Sequence, residues 1–181
     1  RQKQQYLFKA SELQAAGFSG GKITELSWET TAQNGATSNF YGFTIRMGCT
    51  NQNSINSWQS GLSTVFSPQT VTASLGWNDF QFTTAYEWDG ISNLIVEVCF
   101  NNLNSGAYTF NWSTPYKITP FNSAIYYRSD INSACSFTGS PTGVENKRPV
   151  TKFKTCPMVP DPSFFTFCLL YTSPSPRDAL E

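Results

Sequence analysis

The 181-residue chain contains no histidine. That removes the general base of Ser-His-Asp and Cys-His catalytic arrangements, and it removes His-ligated metal centres. Charge is scarce as well: 13% of residues are charged, about half the roughly 25% of an average soluble domain. The 12 basic and 12 acidic side chains cancel, so no global field draws in nucleic acid or an anionic membrane. No apolar run reaches the ~20 residues of a membrane-spanning helix, so insertion is not expected. No C-x-x-C pair is present, and a structural zinc site would need four scattered thiolates. The chain starts without an initiator methionine or a basic segment leading into an apolar one. It is expected to be a fragment of a longer parent chain whose export signal, if it has one, lies elsewhere.

What the chain does have is rings, amides and sulfur. Aromatics make up 15% of residues in a chain that is only 39% hydrophobic. Large rings fill a β-sandwich core efficiently, and some can also lie on the surface as contact platforms. With so few charges, the polar surface must consist of Asn, Ser, Thr and Gln, which suits a secreted or cell-surface protein. Five cysteines occur, at 49, 99, 135, 156 and 168. Disulfides in an oxidising compartment are the better reading of them. Cys49, Cys99, Cys135 and Cys156 allow three pairings, among which the sequence does not choose.

Along the chain, residues 1–5 are polar and expected to fray. Residues 11–17 read as one short helix, capped by Ser11 and closed by Gly17. Period-two alternation then predicts a strand at 22–30 and another through Phe43, Ile45 and Met47. Asn34-Gly35 is a hairpin signal between them. Residues 51–63 form a polar loop with Trp58 isolated in it. Short strands follow at 64–66 and 71–73, with Pro68 in a turn or at a sheet edge. Runs at 78–82 and 93–100 flank the tight turn of Asp89-Gly90. Further strands are expected at 108–112, 124–128 and 150–154. Many short strands without βαβ alternation predict an all-β fold, an antiparallel sandwich or jelly roll with one N-terminal helix, over residues 1–157. Residues 158–181 are expected to be a disordered or artefactual tail. The segment 168–178, CLLYTSPSPRD, resembles the translated read-through of a sequencing-library adapter, which would take Cys168 out of the disulfide count.

Several fragments together resemble a module found near the N-terminus of large secreted and cell-surface proteins of Bacteroidota. They are YLFKASELQAAG at 6–17, FTIRMG at 43–48, GWNDF at 76–80, WDG at 88–90, NLIVEVCF at 93–100, YYRSD at 126–130, and Arg148-Pro149 with Lys152-Phe153. The resemblance implies a parent with Ig-like or fibronectin-like domains and a type IX secretion sorting domain. It transfers no catalytic residue and no ligand.

Candidate chemistry is sparse. Asp79, Glu87, Asp89 and Glu97 lie close together in sequence, and a glycosidase needs only two carboxylates. Asp89 is nevertheless best explained by its turn, and Glu97 as the outward member of a strand. A calcium site could draw on Asp89, Asn93, Asp130 and Asn132, although EF-hand spacing is absent. Trp58, Trp112, Tyr126 and Tyr127 are candidate platforms for the apolar face of a sugar, with Trp58 the best surface position. Trp28, Trp77 and Trp88 belong in the core. For each ring the plainer assignment, packing or loop anchoring, is preferred. Arg148 reads as structural, pairing with a carboxylate such as Asp130, and Asn111-Trp112-Ser113 matches a glycosylation sequon. The expected function is a non-catalytic extracellular module with an adhesion or display role, its partners glycans or other surface proteins. The alternatives are a carbohydrate-binding accessory module of a polysaccharide-degrading enzyme and a self-assembling fibre subunit.

Overall fold

The computed structural model describes residues 1–34, 38–102 and 112–157, together with the backbone of 169–171. A six-stranded sheet carries, in spatial order, β4 (Ser63–Thr72), β3 (Asn39–Thr50), β6 (Asn93–Phe100), β1 (Gln2–Phe8), β8 (Ala124–Arg128) and β9 (Gly143–Glu145). A four-stranded sheet carries β12 (Leu169–Tyr171), β11 (Thr151–Pro157), β2 (Gly21–Thr30) and β5 (Gly76–Trp88). A small ribbon pairs β10 (Lys147–Pro149) with β7 (Tyr116–Ile118). The strand pairings are antiparallel throughout, and the fold is all-β and sandwich-like.

The pleat explains the layers. On β6, Leu94, Val96 and Val98 point into a core shared with Ile23 and Leu26 of β2, Phe80 of β5 and Phe153 of β11. Ile95 faces the other way, into a second cluster with Leu7, Ile55 and Ile125. Trp58, Leu62 and Phe121 close that cluster from loops. Strand β6 is therefore buried on both faces, which is why 93–100 reads as a nearly unbroken apolar run. Each aliphatic side chain so buried contributes on the order of 1.5–3 kcal/mol.

The expected fraying of residues 1–5 is overturned. Strand β1 lies inside the large sheet, with Gln2 opposite both Phe100 and Arg128 and Tyr6 opposite both Val96 and Ala124. Gln2, Lys3 and Gln5 are buried despite their polarity. Lys3 and Gln5 face a charged network beneath the loops, and Gln2 and Gln4 face a cleft, so neither face of this end needs apolar side chains.

Other boundaries moved for local reasons. The segments at 64–66 and 71–73 are one strand, β4, which holds the sheet edge where the missing N–H of Pro68 costs no ladder bond. The helix α1 (Ala10–Ala15) starts one residue early. The Glu12 carboxylate, rather than Ser11, satisfies the helix start by accepting the Lys9 N–H at 2.9 Å. Gly17, at φ 93°, closes the helix as the Phe18 N–H donates to the Leu13 carbonyl at 3.0 Å. Gly90, at φ 80°, turns β5 into β6, and a Cβ there would sit 2.9 Å from the Ser19 carbonyl. The expected strand at 108–112 lies outside the described residues except for Trp112, as does Gly35. Within the tail, Leu169–Tyr171 pairs with Phe153–Thr155 of β11.

The sulfur chemistry is narrower than the sequence allowed. Cys99 is bonded to Cys135, which ties the 129–141 loop to the outer face of β6. Cys156 is disulfide-bonded too, its partner outside the described residues. Cys49 is a correction: it is a free, exposed thiol at the end of β3, where its Sγ accepts from the Tyr86 hydroxyl at 3.3 Å. It points towards the small sheet, away from the face that carries Cys99 and Cys135.

Arg148 is also a correction in its partner. The guanidinium is buried and grips both oxygens of Glu12, at 2.9 and 2.8 Å, not Asp130. It also donates to the Leu7 carbonyl. Burial works against ionising Glu12, but the bonds from Arg148 and from the Lys9 amide outweigh it and hold the carboxyl below its ordinary range. A depressed folded value means stability that is fully present above the unfolded pKa, about 4.3, and is lost as pH falls through the folded value. In urea denaturation, the native chain should lose more stability than Glu12→Gln between about pH 5 and pH 3. Parallel acid limbs for the two proteins would remove Glu12 from the account.

Candidate functional site: an aromatic cleft between the sheets

At the end of the sandwich where β1 begins, the two sheets leave a cleft of about 420 Å³. The strand pattern builds it. Gln2, Gln4 and Tyr6 share the core-facing side of β1, and Tyr126 and Arg128 stand opposite Gln4 and Gln2 on β8. Across the gap are Trp28 and Thr30 of β2 and Asn78 and Phe80 of β5, while Phe40 of β3 lies in the same sheet as Gln2. Rings and side-chain amides are thus interleaved in the lining.

The aromatic lining is a connected stack of edges. Phe40 meets Phe100 at 4.9 Å and Trp112 at 6.3 Å between ring centroids, both edge-on. Trp28 meets Phe80 at 5.5 Å, and its indole N–H donates to Thr151 Oγ1 at 2.9 Å. On β8, the Tyr126 ring lies against Gly143, where an added Cβ would approach ring atoms to 2.6 Å. The Arg128 guanidinium sits 4.7 Å from the same ring. Lys147 at the rim lies 5.2 Å from the Tyr116 ring. Burial and the nearby Glu145 push the Tyr6 phenol up, only partly offset by Arg128, so it stays protonated and donates to Gln4 Oε1. Asn78 is engaged by Ser74 and Thr30.

Gln2 differs from these neighbours. It is only 7% exposed and lines the cleft, yet its side-chain amide makes no hydrogen bond to the protein. The Gln4 amide nitrogen is equally unengaged. The Gln2 amide atoms remain accessible from the cleft, where water or a ligand can bond them.

The four rings singled out from the sequence divide into two pairs. Trp112 and Tyr126 come together at the cleft. Trp58 and Tyr127 lie on the opposite face of the large sheet, away from the cleft, and each is anchored as the plainer assignment expected. Trp58 donates its indole N–H to the Gly139 carbonyl at 2.8 Å and carries the Lys3 ammonium 4.6 Å from its ring centre. Tyr127 is stacked on Phe137, with centroids 3.5 Å apart. Both rings fasten loops, because the polar neighbours of Trp58 form the outer side of a loop whose ring tucks inward. Trp88 is core, as expected, and Trp28 is half-buried against the same core cluster, beside Tyr6 and Phe80. Trp77 is not core: it lies half-buried on the outer face of β5 beneath Lys152, whose ammonium is 3.5 Å from the ring centre.

The carboxylates do not converge. Glu97 is buried under the loops with Lys3 and Arg46, Glu87 pairs with Lys22 at 3.5 Å on the surface, and Asp79 is exposed on β5. Asp89 is partly desolvated, but hydrogen bonds from the Ser92 hydroxyl and from the Ser92 and Ile91 amides outweigh that and hold its carboxyl low. The proposed calcium ligands are also scattered. Asn93 is committed to the Ala10 amide and the Gln52 carbonyl at the Phe8 end of β1, whereas Asp130 follows Arg128 at the Gln2 end. Seven strand residues separate those ends, roughly 20 Å. Among the described residues no three His, Cys, Asp or Glu side chains group as a metal site.

What the fold and site define is an antiparallel all-β sandwich with an aromatic-and-amide cleft. Compared with known proteins, the chain matches no family, no curated protein and no solved structure.

Proposed function

We propose that the chain is a non-catalytic module of a secreted or cell-surface protein, with an adhesion or display role, and that it holds its ligand in the inter-sheet cleft. The observation that carries this reading is the cleft: concave, ring-lined and equipped with the Gln2 amide and the Gln4 amide nitrogen, neither bonded among the described residues. Acid–base hydrolysis of a glycoside needs two facing carboxyl groups, and among the described lining residues Glu145 is the sole carboxylate. The Cys99–Cys135 bridge and the low charge suit an extracellular setting. The fragments spread over 6–153 support a parent of the Bacteroidota surface-protein kind, with further domains beside this one. Self-assembly through sheet edges has less support, since the β4 edge is interrupted by Pro68.

The test is retention of the full chain on insoluble polysaccharides, mucin-type glycoprotein and matrix protein, with reducing ends assayed in the supernatant. Saturable retention without released product is expected. Failure to bind every surface, or product formation abolished by Glu145→Gln, would overturn the reading.

A further inference from the structure

Resting on that reading, we infer that the cleft is a binding site for an uncharged pyranose, the exposed unit of a neutral glycan. The lining combines aromatic rings with side-chain amides. A pyranose has one face of C–H groups, which packs on aromatic rings, and an equator of hydroxyls, each a donor and an acceptor. A primary amide offers a carbonyl acceptor and two N–H donors in one plane, matching two adjacent hydroxyls in a bidentate way.

The cleft supplies both. Trp28 of the small sheet lies across the gap from Gln2 and Gln4 of β1, and Phe40, Phe100 and Trp112 form a ring cluster in the same lining. Gln2 carries the inference furthest. A residue 7% exposed whose amide has no bond among the described residues and stays accessible from the cavity it lines is prepared for a polar guest, and its rigid setting in a strand paired on both sides removes most of its ordering cost. The volume of about 420 Å³ admits one or two sugar units and excludes deep entry by a folded partner.

Charge argues for a neutral guest. Arg128 lies over Tyr126 and Lys147 over Tyr116, both at the rim with Glu145, so mixed charge surrounds the opening while the groups inside are uncharged. Of the two guanidiniums lining the cleft, Arg128 beside Gln2 lies over the Tyr126 ring and Arg148 is bound to Glu12, so both are already engaged within the protein.

The experiment is calorimetric titration of the full chain with soluble oligomers of glucose, xylose, mannose, galactose and N-acetylglucosamine, and with oligogalacturonate as the anionic arm. At least one neutral series should bind. Gln2→Met, which keeps the bulk of the side chain and drops the amide, should weaken it by about tenfold or more. Trp112→Ala should weaken it similarly, and Trp58→Ala should leave affinity unchanged. Thermal melts of each variant separate lost binding from lost fold. Equal affinity in native chain, Gln2→Met and Trp112→Ala would overturn the inference. So would tighter binding of oligogalacturonate, or no sugar binding while retention on a protein surface persists, an outcome that leaves the adhesion reading standing. If nothing binds in either experiment, both fall together.

Discussion

Replacing Glu97 with leucine lowers folding stability by about 3–5 kcal/mol, the usual cost of stranding the partners of a buried ion pair. The Glu97 side chain is 4% exposed, and it accepts from Arg46 Nη1 at 2.5 Å and Gln5 Nε2 at 2.8 Å, with Lys3 Nζ at 3.4 Å. Arg46 on β3 and Gln5 on β1 are its register partners on the two flanking strands, so the sheet itself holds this cluster together. Lys3 is the partner that suffers most, because its side chain is 9% exposed and cannot swing out to water. The damage spreads to the loop above. Gln5 clamps the backbone of Gln59 through two bonds, donating to the carbonyl and accepting from the N–H, both at 2.8 Å. Guanidinium denaturation of Glu97→Leu, Lys3→Met and the double variant measures this. The double variant should be more stable than the sum of the single losses implies, because the stranded ammonium has gone. Additive losses, or a Glu97→Leu cost within about 0.5 kcal/mol of zero, would contradict the network.

The second large effect is at sulfur. Substituting serine for both Cys99 and Cys135 removes a bridge with a sequence separation of 36, and chain entropy alone assigns such a closure about 3–4 kcal/mol. The loss is also local. The bridged loop supplies the Phe137 carbonyl that accepts from Lys3 at 3.0 Å, the Gly139 carbonyl that accepts from Trp58, and the ring stacked on Tyr127. Thermal melting of the double-serine protein should fall by many degrees, and limited proteolysis should first cut within 129–141. An unchanged melting point, or first cleavage elsewhere, would count against it.

These two features sit where reading from sequence was weakest. Hydrophobic pattern located the well-buried strands: Asn93–Phe100, an almost unbroken apolar run, and Ala124–Arg128 stand where it placed them. It failed for Gln2–Phe8, since a strand carrying Gln, Lys, Gln and Gln looks like a frayed end until its neighbours are known. The signal was present in the run into Tyr6, Leu7 and Phe8, where Leu7 and Phe8 join clusters on opposite faces. Glu97 was rightly placed on the outer face of its strand, but no local pattern shows that loops 51–63 and 129–141 cover that face. The site was half legible. Trp112 and Tyr126 were named and do meet, but Gln2 and Gln4 were missed because long-range pairing alone brings the N-terminal segment to them. Loop anchoring, the preferred assignment for Trp58, matches its bond to Gly139, but its polar neighbours in sequence say nothing of where the ring is held.

The central claim is that ligand enters between the sheets at the Gln2 end. Its most direct test is the indole N–H region of the NMR spectrum during titration with neutral oligosaccharides. Trp28 and Trp112 should shift in a saturable way, while Trp58, held by Gly139, and Trp88, held by the Ser92 carbonyl at 2.8 Å, stay still. Movement of Trp58 with Trp28 and Trp112 unmoved would place binding on the other face and contradict the account.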